Sequence, residues 1–579
     1  MKFVNINHCW GSLIIEELSR LGVEYFCVAP GSRSSPLVIP LAQKKLQTMV
    51  HFDERGLAFH AMGYSAAIQK PAVIISTSGT AAANFLPAVI EASKKKLPLI
   101  VITADRPPEL RQTGAVQTID QVGLYGKYTK WATDMPCPDT AISAGFVLTT
   151  IDQAWHQAVR HRGVVHINCM FRKPLDLTPG TEDLKTYVKG LKRWEQTQKP
   201  YTDYVAGFGP AELPDPKKIA NRLNAVKSGL IVIGKIAQDE ADLALGLARK
   251  LGWPVFADIS SGLRLGRRES SLIHYFDHLL SSEKILKDLS FDGVLHLGGR
   301  MTSQRYYDFI KKQGPAEYIM VIDHTLRNDP NHQVSLRVEA GVGNFIETML
   351  PLLKVRKSSS ALKVLSKADQ VVDKSMEGFF AKDQGVSEPG IARLVSQLIP
   401  EAHGLFLSNS MPIRDMGNYA DPGGRVVRVN GNRGASGIDG NIASAAGFAR
   451  GLNKPVTLMI GDLAALHDLN SLSMLREVPV PLIIVVLNNG GGGIFSFLPI
   501  AGFKEGFEKF WGTPHPYTLA SAAAMFELGY SQPVSAGQFK KAYALALRSQ
   551  TSSIIEVINS REENLKTHRE LQDIIINKL

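Results

Sequence analysis

An α/β protein of three doubly wound parallel-sheet domains is the fold class this sequence predicts, on three observations. Strand-like apolar runs alternate with helical patterns almost throughout, as in chains of strand–helix–strand units. A composition of 44% apolar and 21% charged residues describes a soluble globular protein with an ample core. A length of 579 residues leaves room for three or four domains of ordinary size.

The elements follow in order. Met1 to Arg20 carries Asn, His and two Glu among its apolar residues, and so reads as an amphipathic helix instead of a signal peptide. Met49-Val50-His51-Phe52 is a strand ending in Asp53-Glu54, followed by a small-residue helix from Leu57 to Ala67 suited to close packing. Ala72 to Ser76, a helix from about Ala81 to Ser93, and Leu99 to Thr103 make a compact βαβ unit, and the block closes near Gly163 to Asn168. A polar connector with Pro and Gly runs from about Arg193 to Pro216. The second block has strands at Gly229–Ile233, Gly293–Leu297 and Tyr318–Ile322. Arg356 to Gly390, rich in Lys, Ser and Asp, reads as a partly helical linker. The third block starts near Ile391 and contains two strands, Pro455–Ile460 and Val480–Leu487. The expected domains are therefore 1–190, 205–355 and 385–579, with no low-complexity tract or short-period repeat.

Several function classes are excluded. No apolar run is long enough to cross a bilayer as a helix, so no membrane span is expected. Cys9, Cys27, Cys137 and Cys169 form no CxxC pair or metal spacing; a reduced cytoplasmic compartment and four structural cysteines fit best. The formal charge of +11 is compatible with nucleic acid or with acidic small molecules. Without a basic-aromatic stripe or a recognisable binding module, no nucleic-acid partner is expected, and Lys94-Lys95-Lys96 reads as the solvated end of a helix. Arginines inside Gly-rich segments favour small anions.

The most informative stretch is Gly461 to Gly493. Asp462 and Asn489 end consecutive strands, placing two hard oxygen ligands at the carboxyl edge of a sheet, where open α/β folds bind ligands. Such oxygens suit Mg²⁺, which takes its remaining ligands from phosphate and water. The run Gly490 to Gly493 lets backbone amides approach a diphosphate. Two core strands with an ordinary Gly-rich turn are the alternative on this segment alone. The spacing resembles the thiamine diphosphate (ThDP) fingerprint, with Leu463 in place of the usual third glycine. That resemblance implies a ThDP-type fold and a ThDP cofactor, with Mg²⁺ or Mn²⁺ held by Asp462, Asn489 and the Gly491 carbonyl. Leu463 then lies in the cofactor site. The cofactor's aminopyrimidine needs a carboxylic partner, and Glu54 at the end of its strand is the candidate catalytic residue.

Longer motifs narrow the family. Pro30-Gly31-Ser32-Arg33-Ser34-Ser35-Pro36-Leu37, Thr77-Ser78-Gly79-Thr80-Ala81, Thr103-Ala104-Asp105-Arg106-Pro107-Pro108-Glu109-Leu110 and Asn432-Arg433-Gly434-Ala435-Ser436-Gly437-Ile438-Asp439-Gly440 stand in that order. Together they resemble the 2-succinyl-5-enolpyruvyl-6-hydroxy-3-cyclohexene-1-carboxylate synthases, ThDP-dependent transferases of menaquinone and phylloquinone biosynthesis. The resemblance implies decarboxylation of 2-oxoglutarate and Stetter-like addition of the succinyl semialdehyde carbanion to isochorismate. It carries Ser32, Arg33, Arg106, Gln117, Arg305, Ser410, Arg414 and Arg433 over as substrate contacts, with Ile494 and Phe495 walling the pocket. Ser78, Gly79, Ser436 and Gly437 fall in the cofactor site, and Ile438 becomes the apolar wedge that bends the cofactor. Arginine forks suit dicarboxylates because they bind bidentately and stay charged. Ser410 and Arg414 are four apart, so a helical turn puts them on one face. Gln304 stands beside Arg305 where some relatives carry a second basic residue, which leaves the middle-domain anion contact open. A homodimer at least, and a dimer of dimers, is implied as well. Another ThDP-dependent 2-oxoacid decarboxylase or carboligase is the runner-up. An NAD-dependent protein lacks its GxGxxG after the first strand, and a non-catalytic relative has no need of Glu54, Asp462 and Asn489 together.

No obligatory catalytic histidine is expected at His51 or His467. Phe503 to Pro516 reads as a mobile cover over the site. Removing the aromatic side chains of this segment is expected to raise the apparent substrate KM; unchanged steady-state kinetics would dismiss the cover.

Overall fold

Most of the inner strands are buried along their whole length, and the others at all but one terminal residue, which only a sheet covered on both faces allows. The computed structural model describes residues 3–205, 213–383 and 385–579. The expected first domain, connector and linker thus include residues 1–2, 206–212 and 384, which lie outside the described residues. By internal contact the chain forms two units. One comprises Met1–Ala206, Asn432–Val456 and Ala464–Leu482; the other comprises Gly207–Gly431, Thr457–Leu463 and Ile483–Leu579.

The first sheet contains β1 (Phe26–Val28), β2 (Thr48–Val50), β3 (Ala72–Ser76), β4 (Leu99–Asp105), β5 (Thr129–Met135) and β6 (Val164–Met170). Their order is β2-β1-β3-β4-β6-β5, every neighbouring pair parallel. The second sheet contains β7 (Gly229–Ile233), β8 (Val255–Ala257), β9 (Gly293–Leu297), β10 (Glu317–Ile322) and β11 (Leu336–Glu339), in the order β11-β10-β9-β7-β8, again all parallel. The third contains β12 (Gly404–Leu407), β13 (Arg428–Asn430), β14 (Val456–Gly461), β15 (Leu482–Asn488), β16 (Gly529–Ser531) and β17 (Ser553–Ile558), in the order β13-β12-β14-β15-β17-β16. Strand order reverses between β1 and β3 and between β12 and β14. These are the switch points at whose carboxyl ends open α/β sheets bind ligands.

Three expected elements take a different form. The helix at Ile6–Arg20 is buried on nearly every face, Asn7 through Leu18 included. Later chain covers its outer side: Asn7 Nδ2 donates to the Arg172 and Pro174 carbonyls, each at 2.7 Å, and Trp10 Nε1 to Tyr187 Oη at 2.9 Å. The helix expected at 81–93 is two, Thr80–Ala83 and Leu86–Lys95, because Pro87 has no N–H to continue the first and is suited to start the second. Its end leaves Lys94 exposed but Lys95 and Lys96 half-buried, so that lysine run is only partly solvated. The 356–390 linker is mostly one helix of 21 residues, Ser360–Phe380, N-capped by Ser359. Leu362, Leu365, Ala368, Val372 and Met376 bury one stripe of it beside Tyr419 and Leu571.

All four cysteines are buried and free. Among the described residues no helix is long and apolar enough to cross a membrane.

The described part of the connector is strapped to the first unit by two buried acids. Glu17, fully buried, accepts from Trp194 Nε1 and from the Tyr201 N–H, both at 2.5 Å. Asp152 accepts from the Thr202 N–H at 2.8 Å. Arg20 stacks 3.9 Å above the Trp194 ring. Burial first, and the neighbouring Asp152 second, push the Glu17 carboxyl up to about 8. A carboxyl whose pKa is raised on folding contributes stability that is complete below its unfolded value near 4.5 and is lost as pH rises through about 8. Thermal unfolding is therefore expected to shift downward between pH 6 and pH 9, with a shallower slope in Glu17→Gln. Equal slopes in the two proteins would remove this pair from the pH dependence.

Candidate active site

At the first switch point the loop after β1 closes on the loop after β3. A Cβ on Gly31 would lie 2.3 Å from Thr77 Cβ, so only glycine permits that approach. The Arg33 N–H donates to Thr77 Oγ1 at 3.3 Å and its Nη1 to the Phe171 carbonyl at 2.7 Å. Arg33 is 8% exposed, and its buried Nε has no hydrogen-bond partner among the described residues. Burial lowers the pKa of this guanidinium, Arg106 adds repulsion, and Asp105 opposes both. Ser32 is exposed on the same loop. Arg106, just past β4, donates to Ser78 Oγ and to the Val116 carbonyl, the latter at 3.1 Å. Gln117 Nε2 donates to the Ser78 carbonyl at 3.0 Å. Arg33, Ser78, Arg106 and Gln117 are thus brought together.

Gly79 has φ 85° and ψ −147°, a conformation open essentially to glycine alone. Its N–H donates to Gln121 Oε1 at 2.9 Å. Gln121, fully buried, donates to the Ala104 carbonyl at 3.2 Å and to Asn168 Oδ1 at 3.0 Å. Asn168 Nδ2 in turn donates to Asp105 and Asp134 at 2.9 and 2.8 Å. Sequence reasoning missed this network; an Asn within the apolar run of β6 was the available signal.

Glu54 is the first residue of the helix Glu54–Ile68, whose N-cap Asp53 accepts from the Arg55 and Gly56 N–H groups. The half-buried Glu54 carboxyl accepts from Asn84 Nδ2 at 3.1 Å. His51 Nε2 lies 2.8 Å from Ser473 Oγ, and the His467 carbonyl accepts from Arg55 at 2.8 Å. Arg433, Ser436, Gly437 and Ile438 share the loop before the helix Asn441–Leu452. Ser436 is left-handed at φ 64°, and Ile438 is 40% exposed, a large apolar side chain left open. Buried Asp468, another residue missed, holds the start of that helix by accepting from the Ile442 and Ala443 N–H groups at 2.7 and 3.0 Å. Burial lifts its carboxyl to about 6 against those hydrogen bonds.

In the other unit, Asp462 follows β14 and Asn489 follows β15. Asp462 Oδ1 accepts from the Leu463 N–H at 2.6 Å and Oδ2 from the Gly491 N–H at 2.9 Å. His515 Nε2 lies 3.3 Å from the same Oδ2. Leu463 sits inside the short helix Asp462–His467, where the backbone makes no demand for glycine. Asn489 Nδ2 donates to Glu388 Oε1 at 2.7 Å, and its buried Oδ1 has no partner among the described residues. Glu388, unforeseen from sequence, is buried; burial raises its carboxyl pKa and nearby Asp415 adds to the rise. Gly491 has φ 148°, and a Cβ there would lie 2.2 Å from the Gly512 carbonyl oxygen. The Gly491 carbonyl accepts from the Gly493 N–H at 2.9 Å, which leaves it a second lone pair. Among the described residues no group of three or more His, Cys, Asp and Glu is placed to hold a metal. A cation here would need amide and carbonyl oxygens beside Asp462.

Ser410, left-handed at φ 71°, precedes the helix Met411–Tyr419, and Arg414 donates to its carbonyl, so the two share a face. Burial lowers the Arg414 pKa, while Asp415 and Asp277 oppose it. Arg305 pairs with Asp277 at 2.7 Å and its side chain is 48% exposed. Gln304 beside it bonds Asp308 at 3.1 Å. Ile494 and Phe495 lie half-buried in the 3₁₀ turn Gly493–Phe497. The 503–516 segment docks on the glycine run, where the Gly492 N–H donates to the Gly512 carbonyl at 2.8 Å, with Phe503 and Phe510 exposed.

This fold is shared with solved ThDP enzymes. A benzoylformate decarboxylase from Polynucleobacter necessarius superposes with a TM-score of 0.71 at 16% identity, covering 95% of this chain and 98% of that one. A putative thiamin diphosphate-dependent enzyme from Mycobacterium smegmatis gives 0.68 at 16%, covering 95% and 99%. The family described as thiamine pyrophosphate enzyme, N-terminal TPP binding domain, matches residues 10–124, and the middle domain of thiamine pyrophosphate enzymes matches 185–407. The class is therefore the ThDP-dependent enzymes. Within it, a protein of Rubrobacter xylanophilus named 2-succinyl-5-enolpyruvyl-6-hydroxy-3-cyclohexene-1-carboxylate synthase is 45% identical over 98% of both chains. One of the same name from Prosthecochloris aestuarii is 41% identical over 100% of this chain and 99% of its own. The chain belongs to the family of these synthases.

Gly79→Ala combines a forbidden backbone conformation with a Cβ 2.9 Å from Gln117 Cγ. A loss of about 1–3 kcal/mol is expected, read as a lower urea midpoint; an unchanged midpoint would show that the turn relaxes freely.

Proposed function

We propose that this chain catalyses decarboxylation of 2-oxoglutarate and conjugate, Stetter-like transfer of its succinyl semialdehyde unit to isochorismate, releasing CO₂. The observation that supports this most strongly is 45% identity to a synthase across nearly the whole of both chains. We assign one domain to each sheet, at 1–190, 205–355 and 385–579, and a cytoplasmic location in keeping with four free, buried thiols.

ThDP, when bound, supplies the electron sink for both steps. Glu54 is the residue to hydrogen-bond its aminopyrimidine ring, oriented by Asn84. The family resemblance assigns Ser78, Gly79, Ser436, Gly437 and Leu463 to its contacts, and exposed Ile438 would offer it an apolar side chain. Mg²⁺ or Mn²⁺ fits Asp462, the Gly491 carbonyl and the orphaned Asn489 Oδ1, all hard oxygens. Arg33, Arg106 and Arg433, with Ser32 and Gln117, bind substrate carboxylates and hydroxyls; Arg414, Ser410 and Arg305 form a second anion-binding group. Ile494 and Phe495 keep water from the reacting carbon. A homodimer, and a dimer of dimers, is the assembly we assign, following the family resemblance.

The test mixes purified protein with ThDP, Mg²⁺, 2-oxoglutarate and isochorismate, following isochorismate loss and CO₂ release. Equal loss of both substrates is expected, reduced at least about a hundredfold by Glu54→Gln. CO₂ release without isochorismate consumption would make the protein a general 2-oxoacid decarboxylase or carboligase instead.

A further inference from the structure

Glu91 lies on the helix Leu86–Lys95 and is 2% exposed. Its carboxylate receives three consecutive backbone N–H groups: Gly434 on Oε1 at 2.7 Å, then Ala435 and Ser436 on Oε2 at 2.6 and 3.3 Å. Successive amides converging on one point form an anion-binding nest, and here the anion comes from the protein itself. The fit is close on both sides. A Cβ on Gly434 would stand 2.6 Å from the Glu91 carbonyl oxygen and 2.9 Å from Lys94 Cβ. Ser436, the last residue in the nest, has φ 64°, a conformation that a serine leaves readily unless something holds it.

We propose that Glu91 is a positioning residue for the Arg433–Ile438 loop, acting through the Gly434, Ala435 and Ser436 amides. This rests on the reading of that loop as a cofactor and substrate contact. Arg433 precedes the clamped amides and Ile438 follows them by two residues, so the clamp sets where both begin. A charged acceptor suits the role because hydrogen bonds to a carboxylate are about twice as strong as neutral ones. An apolar side chain as exposed as Ile438 cannot fix its own loop by burial.

Glu91→Gln keeps size and shape but offers one acceptor oxygen, and its NH₂ faces N–H donors. The variant is compared with wild type in two measurements: a ThDP titration with Mg²⁺ followed by intrinsic fluorescence, and amide hydrogen exchange of the ligand-free protein. The expected result is a ThDP Kd raised about tenfold or more, with faster exchange confined to the peptide covering 432–441. Glu91→Asp, which restores both oxygens on a shorter stem, is expected to recover part of each. Wild-type Kd and wild-type exchange in Glu91→Gln would overturn the proposal. If Glu91→Gln does not fold, Gly434→Ala disturbs the same contact from the loop side, and unchanged exchange there would likewise overturn it. Failure of wild type itself to bind ThDP would defeat the cofactor reading, and the exchange measurement would still decide whether Glu91 holds the loop.

Discussion

Backbone-to-backbone contact between the helices Glu54–Ile68 and Asn441–Leu452 sets the geometry of the first unit's ligand face. A Cβ on Gly63 would meet the Ser444 carbonyl oxygen at 2.1 Å, and one on Gly447 the His60 carbonyl oxygen at 1.9 Å. Gly440 abuts the Phe59 ring, and Gly451 would bring a Cβ within 2.6 Å of Ala67 Cβ. From Phe59 against Gly440 to Ala67 against Gly451 the contacts advance along both helices, so the helices run in the same direction and start at the same end. Glu54 and the loop ending at Gly440 are brought to that end, the positive pole of both helix dipoles, where Asp53 and Asp468 hold first-turn amides. No side chain of ordinary size fits between them. His60 within the contact is fully buried, and burial pushes its pKa down to about 3, so it packs as a neutral ring.

Backbone strain recurs at candidate ligand contacts within each of the two units. Gln117, Ser410 and Ser436 all have positive φ without being glycine. Each is held by a specific neighbour: Gln117 by its own hydrogen bond to the Ser78 carbonyl, Ser410 by Arg414, and Ser436 by Glu91. Left-handed backbone turns the chain sharply at a strand end and aims polar groups away from the sheet. These hydrogen bonds offset the cost of the unusual backbone conformations.

What could be read in advance follows the physics of burial. Ala72–Ser76, Gly229–Ile233 and Gly293–Leu297 are strands over the residues expected, because inner parallel strands must be apolar on both faces. The 356–390 segment was legible only as partly helical, because Lys, Ser and Asp on the solvent face of Ser360–Phe380 mask its 3.6-residue apolar period. The burial of the first helix depends on Arg172, Pro174 and Tyr187, which no local pattern reveals. At the site, Gly-flanked arginines and strand-end Asp and Asn were visible because the motifs are contiguous. Glu91, Gln121, Glu388 and Asp468 were not. Glu91 reaches its loop across 343 residues and Glu388 its amide across 101, and neither stands in a pattern that marks an acid as a clamp.

The two arginine groups differ in their readiness for an anion. Arg305 already pairs with Asp277, and the same aspartate stabilises the charge of Arg414, so a carboxylate arriving there competes with a resident one. At the first switch point the balance is reversed. Arg33 is desolvated and repelled by Arg106, its Nε has no acceptor among the described residues, and Asp105 is partly neutralised by Arg111 at 3.1 Å. A carboxylate bound there would relieve the repulsion and satisfy the open donor, two gains strengthened by low dielectric and set against the cost of dehydrating the carboxylate. On the proposed assignment of these arginines, the Arg33 and Arg106 corner is the one electrostatically prepared for an anion, while at Arg305 and Arg414 an anion would have to displace or share Asp277.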